Sequence, residues 1–129
     1  MIKEVLFGAA GVIAIAAIIA VVRYQMMQKE NGEEVESLFV DELNMGELKA
    51  WFVDKLEMES TKGVVLLPTK ENTEKWKVKM PESDNMLIQI VYDEGADNIT
   101  AYREIGFSSL SPKLKELLDT NGGTLVIEK

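Results

Sequence analysis

Residues 5–22 read VLFGAAGVIAIAAIIAVV, eighteen positions without a charge, preceded by Lys3 and Glu4 and followed by Arg23. As a helix, a run of that length rises about 27 Å, close to the roughly 30 Å hydrocarbon core of a bilayer. Ala, Ile and Val occupy every face, so the run offers no amphipathic stripe to a globular core. Tyr24 stands where an interfacial aromatic belongs, and Arg23 can snorkel toward headgroups. The expected reading is a membrane-spanning anchor helix over residues 1–24, with the lipid bilayer as partner of residues 5–22. Ala14-Ile15-Ala16 has the spacing of a signal-peptidase site, but the apolar run continues to Val22, past the usual end of a cleavable h-region. An uncleaved signal anchor, single-pass in the cell membrane, fits better.

Working outward, Lys3 before the run and Arg23 and Lys29 after it nearly balance, and acidic residues count for little. The short leader favours translocation, so an extracytoplasmic head is expected. Ala10/Ala14 and Ala16/Ala20 are small-xxx-small pairs, which support a weak homodimer through the membrane helix. Residues 25–36, QMMQKENGEEVE, form a polar linker with a break at Asn31-Gly32. That leaves residues 37–129 for a globular head.

Composition narrows the chemistry. The chain has 129 residues, a net charge of −8, no Cys and no His. Without Cys there is no disulfide, thiolate nucleophile or thiolate metal site. Without His there is no Ser-His-Asp triad and no side chain that ordinarily titrates near neutral pH. No cofactor motif occurs. Asp93, Glu94, Asp97 and Asn98 crowd one loop but lack the order of a calcium loop, so a solvated turn is expected and no metal site.

Two helices announce themselves in the head. Asn44 is an N-cap with Glu47 three residues on, Leu43 and Leu48 sit at staple spacing, and Leu48, Trp51, Phe52 and Leu56 share one face, predicting a helix over 45–58. Ser111-Pro112 starts another that presents Leu114, Leu117 and Leu118 and stops at Asn121-Gly122-Gly123. Strands are predicted at 63–67, at 86–92 (MLIQIVY, apolar enough to be central), at 99–105 across a hairpin loop, and at 124–128. Residues 35–43 suit strand or helix equally. The fold class is α+β: after the anchor, a small, mostly antiparallel sheet with two packed helices.

Strict alternation at 74–80 predicts one more strand, with Lys75, Lys77 and Lys79 on one face and Trp76, Val78 and Met80 on the other. Such a strip either protects a sheet edge or binds an anionic partner such as a lipid headgroup or cell-wall polymer. Nucleic acid is not expected as a partner for so acidic a chain. The function expected is a non-catalytic binding module of the bacterial-type cell envelope, held to the membrane and engaging a protein or envelope component. An N-terminal apolar helix before a globular head is similar in architecture to type IV pilins, which supplies the alternative of a structural subunit in a pilus- or secretion-like assembly. The glutamate of the pilin helix has no counterpart, since residues 8–22 contain none. A small membrane-anchored hydrolase is the remaining alternative, although the S-x-M-x-P nucleophile motif of type I signal peptidases is absent.

Overall fold

In the computed structural model, residues 5–6, 11–32, 36–53, 55–56, 61–77 and 85–127 are described, without the side chains of 5, 6, 11–16, 28, 29, 31 and 76. The elements run β1 (Val5–Leu6), α1 (Gly11–Asn31), β2 (Ser37–Leu43), α2 (Met45–Val53), β3 (Thr61–Leu66), α3 (Lys70–Trp76), β4 (Met86–Asp93), β5 (Asn98–Leu110), α4 (Pro112–Thr120) and β6 (Thr124–Ile127). Among the described residues this is an α+β fold with four helices and a mixed sheet of five strands, ordered β6-β3-β4-β5-β2. The two-residue β1 extends that sheet beyond β6. Neighbours are antiparallel except β2 and β5, which run parallel.

The period-two alternation of each strand divides the core in two. Val65, Leu87, Val91, Ile105, Phe107, Leu125 and Ile127 face α2 and α4, where they meet Leu48, Trp51, Phe52, Leu114 and Leu118. Val64, Leu66, Ile88, Ile90, Tyr92, Tyr102 and Val126 face the other way, onto α1. The central β4 is apolar on both sides because both sides are covered. Gly63 of β3 lets the sheet meet α2 closely: a Cβ there would lie 2.8 Å from the Phe52 ring.

The expected caps are present. Asn44 Oδ1 accepts from the Glu47 N–H at 2.9 Å, and Leu43 and Leu48 are fully buried together. Ser111 Oγ accepts from the Leu114 N–H at 3.3 Å, and α4 gives way to Gly122 and Gly123 at φ +67° and +84°. Helix α2 stops at Val53, short of the expected residue 58. Segment 35–43 resolves as a strand from Ser37.

The single-pass membrane reading is overturned. The apolar run is not one helix, because Val5–Leu6 pairs with β6 and the helix begins only at Gly11. Its apolar part, Gly11–Val22, is twelve residues, about 18 Å at the helical rise and well short of a bilayer core. Among the described residues no helix is long and apolar enough to cross a membrane. Helix α1 continues unbroken to Asn31 through half of the expected linker, and Ala17, Ile18, Ala20 and Val21 are buried on the sheet. Tyr24, expected at a lipid interface, stacks on Tyr102 with centroids 4.8 Å apart. Arg23, expected among headgroups, reaches Asp97 at 3.8 Å on the surface. A helix apolar all round is either membrane-spanning or buried, and here a second apolar sheet face takes it. The bilayer as partner of residues 5–22, the extracytoplasmic head and the envelope setting all rested on that anchor, which no helix among the described residues supplies.

The strand expected at 74–80 is also overturned where it is described. Residues 70–76 form α3, because Thr69 caps it by accepting from the Asn72 N–H at 3.1 Å, with Glu71 in the first turn and Lys75 in the last. A local cap and dipole-matched charges outweigh a pattern that only begins at Lys75.

Candidate functional site: an open sheet edge

Strand β2 closes one side of the sheet and nothing among the described residues lies beyond it. It is held by β5 alone, from the Glu104 N–H on the Glu36 carbonyl (3.0 Å) to the Ser111 N–H on the Leu43 carbonyl (2.8 Å). In a parallel ladder the N–H and C=O of one residue point the same way, and the next residue points oppositely. Glu36 sets that alternation for the first half of the strand, so Ser37 and Phe39 turn their backbone groups outward; the pairing skips Asp41, and past that break the Leu43 carbonyl faces β5.

The side chains along this edge are exposed from Ser37 to Phe39 and again at Asp41 and Glu42, while Leu43 is fully buried. Phe39 is 65% exposed and Leu38 40% exposed, on opposite faces of the strand. Phe39 lies across Gly106, its register partner, where an added Cβ would stand 3.1 Å from the ring. On the other face Val40 packs into the core beneath α2 and α4. Glu36, Asp41 and Glu42 make the surroundings acidic. The edge thus offers backbone groups unpaired among the described residues, two apolar contacts and negative charge.

Behind it, α1 is tied to β5 by a polar relay. Gln25 Nε2 donates to the Tyr102 hydroxyl at 3.0 Å, and that hydroxyl donates to Glu104 Oε2 at 2.8 Å. Burial, with the bond to Glu104, holds the Tyr102 phenol well above its ordinary pKa. At the far end of β4 the Tyr92 hydroxyl donates to Asp97, and that bond, with burial, pushes its pKa up to about 12. Asp93 Oδ1 accepts from the Gly95 N–H at 2.9 Å, so the acidic loop spends a carboxylate on its own turn.

The three lysines do not form the strip that alternation suggested. Lys75 is exposed in the last turn of α3, with its Nζ 3.3 Å from where a Cβ on Gly122 would be. Lys77 is the exposed C-cap at φ 57°, and Lys79 lies outside the described residues. On a helix, positions two apart are about 200° apart, so Lys75 and Lys77 do not share a face as strand residues would. Near Lys75, Thr69, Glu71, Asn72, Asp119 and Gly123 line an open pocket of about 280 Å³. The Asn72 amide is already spent on the Leu67 carbonyl at 2.8 Å. No group of three His, Cys, Asp or Glu that could hold a metal ion occurs among the described residues.

Sequence reading missed the edge because 35–43 looked equally helical. The signal was there in SLFVDEL: as a strand it puts Leu38 and Phe39 on opposite faces, and acids flank both. Compared with family models, with curated proteins and with solved structures, the chain finds no match in any of the three.

Proposed function

We propose that this protein is a small, non-catalytic interaction module that takes an extended segment of a partner onto the β2 edge. One observation carries the reading: a seven-residue edge strand with outward backbone groups and exposed Phe39 and Leu38. Edge strands of this kind are ordinarily blunted by lysine, proline or a covering loop, because they template pairing with another chain. Added strands gain affinity from main-chain hydrogen bonds and specificity from alternate side chains. Glu36, Asp41 and Glu42 favour a basic segment and oppose self-pairing of a protein with net charge −8.

The test uses a hexapeptide alternating lysine and valine, with amide exchange read residue by residue. Protection should appear at Ser37 and Phe39, and Phe39→Pro should abolish it. Proline is tolerated where an edge N–H faces solvent, so the melting temperature of that variant should move by only a few degrees. Unchanged exchange at both amides would remove the reading. Protection that grows with protein concentration alone, without peptide, would favour the alternative of a self-assembling structural subunit.

A further inference from the structure

Arg103 stands opposite Gln89 in the β4–β5 register, and both side chains enter the core beneath α2, 5% and 0% exposed. A cation taken that far from water is costly unless an anion or a full set of acceptors meets it. Its Nε donates to Gln89 Oε1 at 2.7 Å, while Gln89 Nε2 is fixed by the Leu48 carbonyl at 3.0 Å. One Nη makes only a long bond, 3.4 Å, to the Glu47 carbonyl. Among the described residues the ion pair formed is Arg23–Asp97, so no carboxylate meets Arg103 at that range.

Among the described residues, a ring and a second cation also lie close to the guanidinium. Its centre lies 5.1 Å from the Trp51 ring centroid, and Lys55 Nζ lies 4.8 Å from the same centroid. Trp51 is 8% exposed, and its Nε1–H is the buried side-chain group without a hydrogen-bond partner among the described residues. Two cations and an orphaned indole N–H therefore share one ring, and the neighbouring position that could have carried a neutralising glutamate carries Gln89. A buried donor left unmatched is uncommon in folded proteins and calls for an account.

We propose that the Arg103–Trp51–Lys55 cluster is a binding site for a carboxylate group. With Nε held by Gln89 and one Nη only at long range from the Glu47 carbonyl, the two Nη groups keep N–H donors in a planar fork of the kind that matches a carboxylate end-on. Lys55 is half-buried, less enclosed than Arg103 and Trp51. The Glu36 and Glu47 carboxylates both act on the Arg103 charge, and their field opposes a second negative charge at the site. A monoanion suits this balance better than a phosphate dianion. The site lies on the α2 side of the sheet and stands or falls apart from strand addition at β2.

Sodium acetate is the probe, titrated into the full chain against sodium chloride at equal ionic strength. The readout is the Trp51 indole N–H resonance, assigned with Trp76→Phe, together with the melting temperature. Acetate should move that resonance saturably, with a Kd on the order of millimolar for so small a ligand, and should raise the melting temperature beyond the chloride control. Lys55→Ala, a half-buried position, should fold and bind acetate about tenfold more weakly, as loss of one charge-assisted hydrogen bond implies. Arg103→Lys, which keeps the charge and loses the fork, should weaken binding by about tenfold or more. An acetate response equal to that of chloride, or one unchanged in Lys55→Ala, would overturn the site. Inorganic phosphate binding more tightly than acetate would overturn the carboxylate assignment.

Discussion

The two faces of this sheet are covered by opposite means. Toward α2 and α4 the cover is two nine-residue helices, each started by a capping side chain and each presenting a few large residues such as Trp51, Phe52, Leu114 and Leu118. Toward α1 the cover is one helix of twenty-one residues whose buried side chains, among those described, are the small and branched Ala17, Ile18, Ala20 and Val21. Short amphipathic helices mark in sequence both where they begin and which side is inside. An apolar helix marks neither, and only the demand of the sheet assigns it. That demand sits in β4, where alternate residues of MLIQIVYD are buried on both sides.

The sharpest break between the two accounts of α1 is to remove it. If residues 37–129 are a self-contained head, as the sequence alone suggests, a fragment of residues 33–129 folds without α1. Without α1 it would expose Val64, Leu66, Ile88, Ile90 and Val126 together, an apolar face far larger than single domains leave in water. The expected outcome is loss of cooperative unfolding, with dye binding to the bared face. A sharp two-state melt near that of the full chain would show that α1 is dispensable.

Next in size is a pair of neighbours on α1. Ile18 is 3% exposed and Ile19 is 49% exposed. Ile18→Ala should cost about 2–5 kcal/mol in chemical denaturation, whereas Ile19→Ala should stay within about 0.5 kcal/mol. Equal costs would mean that α1 has no sheet-facing side.

Alkali should also distinguish the faces. All three tyrosines, Tyr24, Tyr92 and Tyr102, lie at the α1 side and none at the other. The Tyr92 pKa is raised from 10.0 to about 12, first by the bond to Asp97, and Tyr102 is raised mainly by burial. A raised phenol binds its proton more tightly in the folded state, so its contribution is complete below pH 10 and is lost as pH rises through the folded value. Melting temperature should therefore fall between pH 10 and 12, with tyrosinate absorbance appearing as it does. Tyr92→Phe should flatten that fall, and an identical slope in the variant would count against the assignment.

The smallest effect concerns α3. Lys77 holds a left-handed cap at φ 57°, where a side chain is strained and glycine is not. Lys77→Gly should raise stability by about 0.5–1 kcal/mol, measured by denaturant midpoint. A loss of stability would show that the Lys77 side chain makes contacts that outweigh its strain.

Legibility followed locality. The caps at Asn44 and Ser111, the β4–β5 hairpin and the glycine stop at Gly122 are short-range signals, and they were readable. The parallel pairing of β2 with β5 is not, because no turn residue encodes a partner some sixty-seven positions away. Helix α3 was hidden behind an alternation that ran past its cap. The Arg103 cluster was visible only in parity: Gln89 and Arg103 fall at inward positions of their strands, and their opposition became apparent once the hairpin register was known.

The pairing of β1 with β6 has a consequence for how the chain is made. Val5 and Leu6 find their partners in Ile127 and Val126, and the α1 face is completed by the same β6. A ribosome therefore emits the most apolar segment early and its docking surface late. At cellular elongation rates the wait is on the order of ten seconds. During that interval the yield of native protein depends less on the final free energy than on what shields residues 11–22, so translation speed and holdase capacity become determinants of expression.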